Sequence, residues 1–260
     1  MSGNGWADGL VAVVTAAGGG MGGEIAHRLA QEGAAVALND RDEQRLAETA
    51  ERVAEETKEV ITVPGNVTRR ADAQRLFDAT LERWGRVDVL MNIVGGIKGP
   101  VVNPIWQISE EEWEITIGIN LRSIFHCTQL AAVEMMKQRS GKIVNIASSS
   151  WAGEPAHAHY AAAKAGVVAF TRSVAAQLGE YNINVNAIAP GPTKRQVDVQ
   201  ATTAGTTVRT GSVLDHHVGS LGRTNEPADI ANAALFLVSE ASRNISGELI
   251  TVASGFNPHL

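Results

Sequence analysis

Short apolar segments alternate with longer amphipathic segments along most of the chain. The short segments are rich in β-branched and other apolar residues, which is typical of strands buried on both faces of a parallel sheet. They cover residues 10–15, 35–39, 59–63, 87–92, 142–147, 184–189 and 248–252. This half of the pattern predicts a sheet of about seven strands.

The amphipathic segments between these strands have helical periodicity. They cover residues 21–32, 43–56, 71–84, 110–138, 157–179 and 227–238. Two of them carry helix-start signals, because Ser109 precedes a run of glutamates and Pro227 follows Asn225 and Glu226. Strands that alternate with helices form βαβ units, in which the strands are parallel and the helices cover both faces of the sheet. The sequence therefore predicts a single α/β domain over residues 9–260.

Two segments do not fit this alternation. Residues 1–8 are polar and glycine-rich, and we expect them to form a flexible N-terminus. Residues 190–223 have few apolar runs, several glycines and many threonines. A segment of that length without its own pattern is often a functional loop over a binding site. We therefore predict a substrate lid at about 190–223, with a plain surface loop as the alternative.

A glycine-rich turn joins the first strand to the first helix. Its candidate cofactor-binding residues are Thr15, Gly18, Gly20, Met21 and Gly22. Glycines at such a turn let backbone N–H groups approach a pyrophosphate at the positive end of a helix. Asp40 ends the second strand, about 20 positions further on, where an acidic side chain can bind the adenosine ribose hydroxyls. Asp40 would repel the 2′-phosphate of NADP and so favours NAD, although Arg41 could pair with that phosphate. A solvated helix start is the alternative interpretation of these two residues.

Composition agrees with a soluble globular enzyme, at 44% hydrophobic and 19% charged residues. The net charge of −6 and the lack of Lys/Arg runs argue against a nucleic-acid surface. The single cysteine, Cys127, excludes an internal disulfide and fits a reducing compartment. The apolar run at residues 10–17 is too short for a membrane span or a signal peptide. We therefore expect a cytoplasmic protein that binds neither nucleic acid nor membrane.

Tyr160 and Lys164 indicate the chemistry. Four residues apart, they lie on one face of the predicted helix 157–179. A nearby ammonium lowers the pKa of a phenol, ordinarily about 10, and so allows proton exchange nearer neutral pH. Such pairs also arise by chance on amphipathic helices, so the interpretation depends on the surrounding residues.

Six motifs in the right order make the chain resemble the short-chain dehydrogenase/reductase family in its form of about 250 residues. The family's glycine motif falls on Thr15–Gly22, its Asn-Asn-Ala-Gly motif on Asn92–Gly95, and its Pro-Gly on Pro190 and Gly191. Its active-site residues fall on Asn120, Ser148, Tyr160 and Lys164. The resemblance, which runs from about Gly9 to Gly255, further implies cofactor contacts from Tyr160 and Lys164 and from Asn66, Val67, Asn92, Gly95, Pro190, Gly191 and Thr193.

The resemblance implies a Rossmann-type doubly wound sheet, and hydride transfer between NAD and the carbinol carbon of a secondary alcohol. Tyr160 would exchange a proton with the substrate oxygen, and Lys164 would lower the Tyr160 pKa and hold the nicotinamide ribose. Ser148 would hydrogen-bond the substrate oxygen, with Ser150 as the fallback because strand alternation puts both serines on one side. Asn120 would hold a water that links Lys164 to solvent. The resemblance also implies a homotetramer, paired through helices 110–138 and 157–179.

Several positions depart from the family's motifs. Ala16 replaces a glycine, which is tolerable if the backbone there stays open to alanine. Asn66 replaces an aspartate, although an amide oxygen could still accept from an adenine amino group. Ile93 and Val94 replace Asn and Ala, and Thr193 replaces an apolar residue. These departures bear on cofactor affinity and preference, while the four active-site residues are intact.

The substrate side is predicted from residues near the catalytic set. The candidates are Gly96, Ser150, Trp151 and His157. Trp151 and His157 combine apolar surface with a hydrogen-bonding tip, as a cyclic or aromatic secondary alcohol would require. We expect His159 to have a structural or substrate-shaping role, because no carboxylate is evidently placed to orient it as a base. His216 and His217 lack further ligands, so no metal site is predicted.

Two other functions stay open from the sequence. The first is a 3-oxoacyl-[acyl-carrier-protein] reductase, whose acidic partner would favour a basic patch near the lid. Lys194, Arg195 and Arg209 are present but scattered. The second is a non-catalytic NAD-binding regulator, which would not need the complete set of catalytic residues.

Overall fold

A seven-stranded parallel sheet forms the centre of the described residues, which are 5–100, 102–194 and 219–256 of the computed structural model. The strands are β1 Val11–Thr15, β2 Ala35–Asn39, β3 Val60–Thr62, β4 Val89–Asn92, β5 Gly141–Ile146, β6 Ile183–Pro190 and β7 Leu249–Val252. Their order is β3-β2-β1-β4-β5-β6-β7, and every neighbouring pair is parallel. The predicted doubly wound α/β fold is confirmed.

Helices cover both faces of this sheet. They are α1 Gly20–Gln31, α2 Glu43–Ala54, α3 Arg70–Trp84, α4 Glu110–Ile117, α5 Ser123–Gln138, α6 Ala158–Leu178 and α7 Pro227–Val238. Apolar side chains of α1, α2 and α7 share one buried cluster with the sheet, and those of α3, α5 and α6 share another on the opposite face. Two-sided burial explains why the strands read as continuous apolar runs.

The predicted helix starts at Ser109 and Pro227 are confirmed. Ser109 caps α4 and exchanges hydrogen bonds with Glu112 in a capping box. Pro227 is the first residue of α7, where its missing N–H costs no helical hydrogen bond. Both starts are set by local chemistry, which the sequence displays directly.

The predicted helix 110–138 is interrupted by a π-helical turn. The turn covers Gly118–Arg122 and separates α4 from α5. It contains Asn120, whose Nδ2 donates to the Thr116 carbonyl at 2.8 Å. A π-helical turn adds a residue within an otherwise regular helix, and such turns often lie at functional sites. Periodicity alone does not show it, because the apolar pattern continues across the turn.

Residues 5–8 are anchored, contrary to the predicted flexibility of segment 1–8. Ala7 is fully buried, and its N–H donates to the Glu32 carbonyl at 3.2 Å. The Trp6 N–H donates to the Glu32 carboxylate at 2.8 Å. A polar, glycine-rich composition does not reveal that one small apolar side chain will pack at the end of α1. Residues 1–4 lie outside the described residues.

Most of the predicted lid, residues 195–218, also lies outside the described residues. Its two ends are described. Pro190 is the last residue of β6, and Thr193 pairs with Asn225 in an isolated bridge. The Asn225 side chain is buried; it donates to the Val252 carbonyl at 2.6 Å and accepts from the Ser254 hydroxyl at 2.6 Å. Asn225 therefore ties both ends of the segment to the end of β7.

Candidate active site

The four predicted catalytic residues lie beyond the carboxyl ends of the central strands. Ser148 follows β5, Tyr160 and Lys164 lie on α6, and Asn120 lies on the π-helical turn before α5. Strand order reverses between β1 and β4, and ligands of open α/β sheets bind at such a switch point. The topology thus places these residues where this fold binds its ligands.

Lys164 is the most buried charged group of the site. Its side chain is 2% exposed, and its Nζ donates to the Ile146 carbonyl at 2.7 Å. Burial lowers the pKa of this ammonium from 10.5 to about 7. Nζ also lies 5.7 Å from the centroid of the Tyr160 ring. The Lys164 amine is therefore held beside the phenol, as the spacing of the two residues predicts.

Asn120 holds the loop that follows β4. Its Nδ2 donates to the Gly96 carbonyl at 2.6 Å, and its Oδ1 accepts from the Gly96 N–H at 3.2 Å. A Cβ on Gly95 would lie 2.8 Å from Asn120 Oδ1 and 2.9 Å from Lys164 Nζ. Only glycine fits there without displacing one of these atoms, so Gly95 lets the loop approach the catalytic lysine.

The serine cluster after β5 forms a short 3₁₀ turn, Ser149–Ala152. Ser148 caps this turn, since its Oγ accepts from the Ser150 N–H at 3.2 Å. A hydroxyl has one donor and two acceptor sites, so this bond leaves the Ser148 O–H able to donate to a substrate oxygen. Ser150 is 8% exposed and belongs to the turn that orients Ser148. Which of the two serines donates to a substrate oxygen stays a prediction.

His157 and Trp151, two predicted substrate residues, have different surroundings. The His157 ring meets the Tyr160 ring edge-on, with centroids 5.3 Å apart and planes at 65°. Trp151 is half-buried and packs against the cluster that contains Ala147 and Val167. His157 is therefore beside Tyr160, whereas much of the Trp151 side chain is used in packing. Substrate contacts from both stay predictions.

Asp40 faces the glycine turn. Its Oδ2 accepts from the Gly18 N–H at 3.0 Å, and its Oδ1 accepts from the Asp42 N–H at 3.0 Å. A Cβ on Gly18 would lie 2.9 Å from the Asp40 carboxylate. The acidic group is fixed against the turn, while Arg41 is exposed, and a ribose contact from Asp40 stays a prediction.

The glycine turn accommodates alanine at a conformational cost. Ala16 has a φ of 51°, in the left-handed region, so the backbone does not stay in a conformation favourable to alanine. Gly20 also has a positive φ, 56°. A Cβ on Gly22 would collide with the Ala16 carbonyl, which explains the close approach of α1, while Met21 packs against the core below.

Thr15 connects β1 to the end of β4. Its Oγ1 donates to the Met91 carbonyl at 3.2 Å and accepts from the Ile93 N–H at 3.0 Å. The side chain is 1% exposed. Its described contacts therefore hold the start of the β4–α4 connection, and a cofactor contact stays a prediction.

A buried ladder of amides and hydroxyls links the elements that carry the site. Asn92 Nδ2 donates to Asn145 Oδ1 at 2.8 Å and to Thr128 Oγ1 at 3.2 Å, and Asn145 Nδ2 donates to Thr171 Oγ1 at 2.9 Å. The ladder joins β4, β5, α5 and α6. Sequence reasoning missed Asn145 and Thr171; the signal was an amide within an otherwise apolar strand, since buried amides need partners.

The predicted adenine contacts lie after β3. Asn66 Oδ1 accepts from both the N–H and the hydroxyl of Thr68, at 3.1 and 2.7 Å, so both of its lone pairs are used. An adenine amino group could bind this oxygen only if Thr68 moved. Val67 is buried, and its carbonyl oxygen lies 3.1 Å from His126 Nδ1.

The predicted cofactor residues after β6 pack closely on β7. The Gly191 N–H donates to the Val252 carbonyl at 2.8 Å, and a Cβ on Gly191 would lie 2.7 Å from that of Ala253. Thr193 Oγ1 donates to the Gly191 carbonyl at 2.9 Å. These bonds fix the start of the predicted lid next to the end of the sheet.

Comparisons with known proteins agree with this architecture. A family model described as enoyl-(acyl carrier protein) reductase matches residues 15–257. The BbsD subunit of (2S)-[(R)-hydroxy(phenyl)methyl]succinyl-CoA dehydrogenase from Thauera aromatica is 33% identical, over 94% of this chain and 95% of that protein. The 3-oxoacyl-[acyl-carrier-protein] reductase FabG of Staphylococcus epidermidis is 35% identical, over 94% of this chain and 97% of its own. A solved structure described as a short-chain dehydrogenase/reductase from Burkholderia xenovorans has a TM-score of 0.89 at 33% identity, covering 98% of this chain and 99% of that one.

The chain belongs to the short-chain dehydrogenase/reductase family of oxidoreductases, whose members use an NAD(P) cofactor. The residues present fit such a cofactor, because the glycine turn opens beside the fixed carboxylate of Asp40 and a Cβ on Gly18 would fill the space between them. Within the described residues, no cluster of three or more histidine, cysteine or acidic side chains is arranged to hold a metal ion. No helix of the described part is long and apolar enough to cross a bilayer.

Proposed function

We propose that the protein interconverts a secondary alcohol and the corresponding ketone with NAD as cofactor. The observation that carries this proposal is the buried Lys164 ammonium beside the Tyr160 ring, with the Ser148 hydroxyl oriented at the end of the neighbouring strand. When bound, NAD would supply the hydride acceptor or donor at nicotinamide C4. The protein has to hold the substrate oxygen and move one proton.

The proton chemistry falls to Tyr160. In its protonated form, the Lys164 amine 5.7 Å from the ring centroid favours the phenolate, which can take the alcohol proton during oxidation; the phenol returns it during reduction. Ser148 donates its O–H to the same substrate oxygen and stabilises the charge that develops there. We assign to Asn120, which lies near Gly95 together with Lys164, the holding of a water between the lysine and solvent. In this proposal Tyr160 and Ser148 both act at the substrate oxygen, and Asn120 acts at a water molecule.

Tyr160→Phe tests the assignment, and Tyr181→Phe is its matched control. Tyr181 is the chain's other tyrosine and stacks with Arg139 away from the site. Turnover of secondary alcohols should fall about 10²- to 10⁴-fold in Tyr160→Phe, the usual contribution of a general acid or base. The NAD dissociation constant should stay near that of the wild type. Retained turnover in Tyr160→Phe would refute the mechanism.

We further propose NAD rather than NADP, because the Asp40 carboxylate lies against the glycine turn and would repel a 2′-phosphate on an adenosine ribose bound there. Asp40→Ala removes the repelling charge and leaves Arg41 nearby. Its ratio of kcat/KM for NADP to that for NAD should rise about tenfold or more, for a change of at least ~1.4 kcal/mol. A wild-type enzyme that turns over only with NADP would overturn this part of the proposal.

A thioester substrate is the second candidate, and the relatives favour it. One relative's name describes an acyl-CoA substrate and another's an acyl-carrier-protein substrate. Both names imply a hydroxyl or keto group on a thioester, which the same Tyr160 chemistry would serve. Assays with a 3-oxoacyl-CoA and with a simple cyclic ketone separate the two candidates. A regulator without catalytic function would turn over neither, although it would still bind NAD.

We also propose a cytoplasmic homotetramer. Helices α4 and α5 carry three exposed apolar side chains, Trp113, Phe125 and Val133, which a partner copy would cover. The sole cysteine is buried, and burial raises the pKa of its thiol to about 12, which makes it an inert packing group. Light scattering tests the assembly, and a monomer at micromolar concentration would refute it.

A further inference from the structure

His159 directly precedes the catalytic tyrosine but faces another part of the molecule. The side chain has no exposed surface, and its Nε2 lies 3.2 Å from the Lys98 carbonyl oxygen. A carbonyl only accepts, so Nε2 carries the hydrogen of this bond and the neutral ring has a bare Nδ1. Nδ1 has no hydrogen-bond partner among the described residues. Nε2 is thus hydrogen-bonded, whereas the burial of Nδ1 without a described partner costs free energy.

The Lys98 carbonyl belongs to the loop of residues 95–100, which forms one wall beside the catalytic lysine. Two side chains of the α4–π-turn segment already hold this loop. Asn120 bonds both polar groups of Gly96, and Thr116 Oγ1 accepts from the Lys98 N–H at 3.1 Å. His159 adds a bond from a different element, the first turn of α6. That bond joins the loop to the helix that carries Tyr160.

We propose that His159 is a positioning residue that latches the 95–100 loop onto α6 and so sets the distance between the substrate wall and Tyr160. The proposal rests on the proposed alcohol–ketone function, because it assigns the loop to that substrate's pocket. The latch uses Nε2 alone. Glutamine places its amide nitrogen near the position of Nε2 and keeps the donor, whereas the shorter asparagine reaches only the position of Nδ1.

Hydrogen–deuterium exchange, followed by mass spectrometry on peptides spanning residues 95–100, tests the latch without any turnover. The amides of Gly96 and Lys98 are held by Asn120 and Thr116, so their exchange reports whether the loop stays docked. In His159→Asn they should exchange about fivefold faster, as expected for the loss of one buried hydrogen bond. In His159→Gln they should exchange at the wild-type rate. Equal protection in wild type and His159→Asn, or fast exchange in His159→Gln, overturns the proposal.

Kinetics provide a second readout that a role in stability alone would not move. His159→Asn should raise the substrate KM about five- to tenfold while kcat and the NAD dissociation constant change less than about threefold, because the loop shapes the pocket and Tyr160 is intact. His159→Gln should restore KM. A fall in kcat at unchanged KM overturns the latch. A wild type without turnover refutes the proposed function instead, and exchange then decides the latch alone. If His159→Asn does not fold, exchange in His159→Gln decides in the same way.

Discussion

Replacing Lys164 with methionine should stabilise the cofactor-free protein at acidic pH and lose this effect at alkaline pH. Methionine has a similar length and no charge, so it fills the space of the buried side chain without its desolvation cost. It cannot donate to the Ile146 carbonyl, which Lys164 bonds at 2.7 Å. Losing that donor costs about 1–3 kcal/mol at every pH. The buried charge of Lys164 makes a second contribution to the difference in stability, and this contribution depends on pH.

The size of this contribution follows from the pKa of Lys164, which burial lowers from 10.5 to about 7. Below pH 7 both states of the protein carry the proton, and the native state bears the full penalty of about 5 kcal/mol. Between pH 7 and 10.5 the unfolded state binds more protons than the native state, so wild-type stability rises with pH. From pH 6 to pH 9 the penalty shrinks by about 2–3 kcal/mol. Methionine does not titrate, so the stability of Lys164→Met lacks this dependence on pH.

Urea unfolding of wild type and Lys164→Met, without cofactor and at one protein concentration, measures the difference at pH 6, 7, 8 and 9. The variant's advantage should fall by about 2–3 kcal/mol across this range. Lys137→Met is the control, because Lys137 is exposed on α5 and its ion pair with Glu134 contributes under about 1 kcal/mol. A difference between wild type and Lys164→Met that stays constant with pH would show that the Lys164 ammonium is not desolvated, and would refute the lowered pKa of this group.

Three further substitutions test the geometry of the site. Gly95→Ala should destabilise the protein by about 1–3 kcal/mol in urea unfolding and abolish turnover, because its Cβ would meet Lys164. The control is Gly96→Ala, whose Cβ meets nothing within 4 Å and which should therefore unfold at the wild-type urea midpoint. Ala16→Gly should stabilise the protein by up to about 1 kcal/mol in thermal unfolding, since it relieves a φ of 51°; a loss of stability would contradict the strain. Ser148→Ala should lower kcat about 10²- to 10³-fold and Ser150→Ala should lower it little; the reverse order would make Ser150 the catalytic serine.

The sheet and most helix starts were predictable because their signals are local. Each buried strand is a short apolar run, and local signals such as the cap Ser109 and the first-turn proline Pro227 mark helix starts wherever the helix later packs. The break in the helix predicted at 110–138 was not predictable in this way. The π-helical turn accompanies hydrogen bonds from Asn120 to Gly96, which lies on a loop distant in sequence. One extra residue in a helical turn leaves the apolar pattern almost unaltered.

The proximity of Tyr160 and Lys164 was predictable for a related reason. Tyr160 and Lys164 are neighbours on one helix, so their spacing in sequence is their spacing in space. The buried ladder of Asn92, Asn145 and Thr171 was missed because its members come from three elements and meet only after the sheet has formed. The conformation of Ala16 was missed because a sequence shows which residue occupies a turn but not its φ.

The two sides of the site are therefore encoded differently, and this difference bears on specificity. The proposed proton chemistry is confined to a few side chains, whose replacement we expect to abolish function. The wall formed by the 95–100 loop is held by Thr116, Asn120 and His159, of which only Asn120 belongs to the catalytic motifs. A change at Thr116 or His159 would move the wall while every catalytic motif stays intact. Relatives with identical motifs can on this argument differ in substrate, which is why the motifs predict the reaction more sharply than they predict the molecule on which it acts.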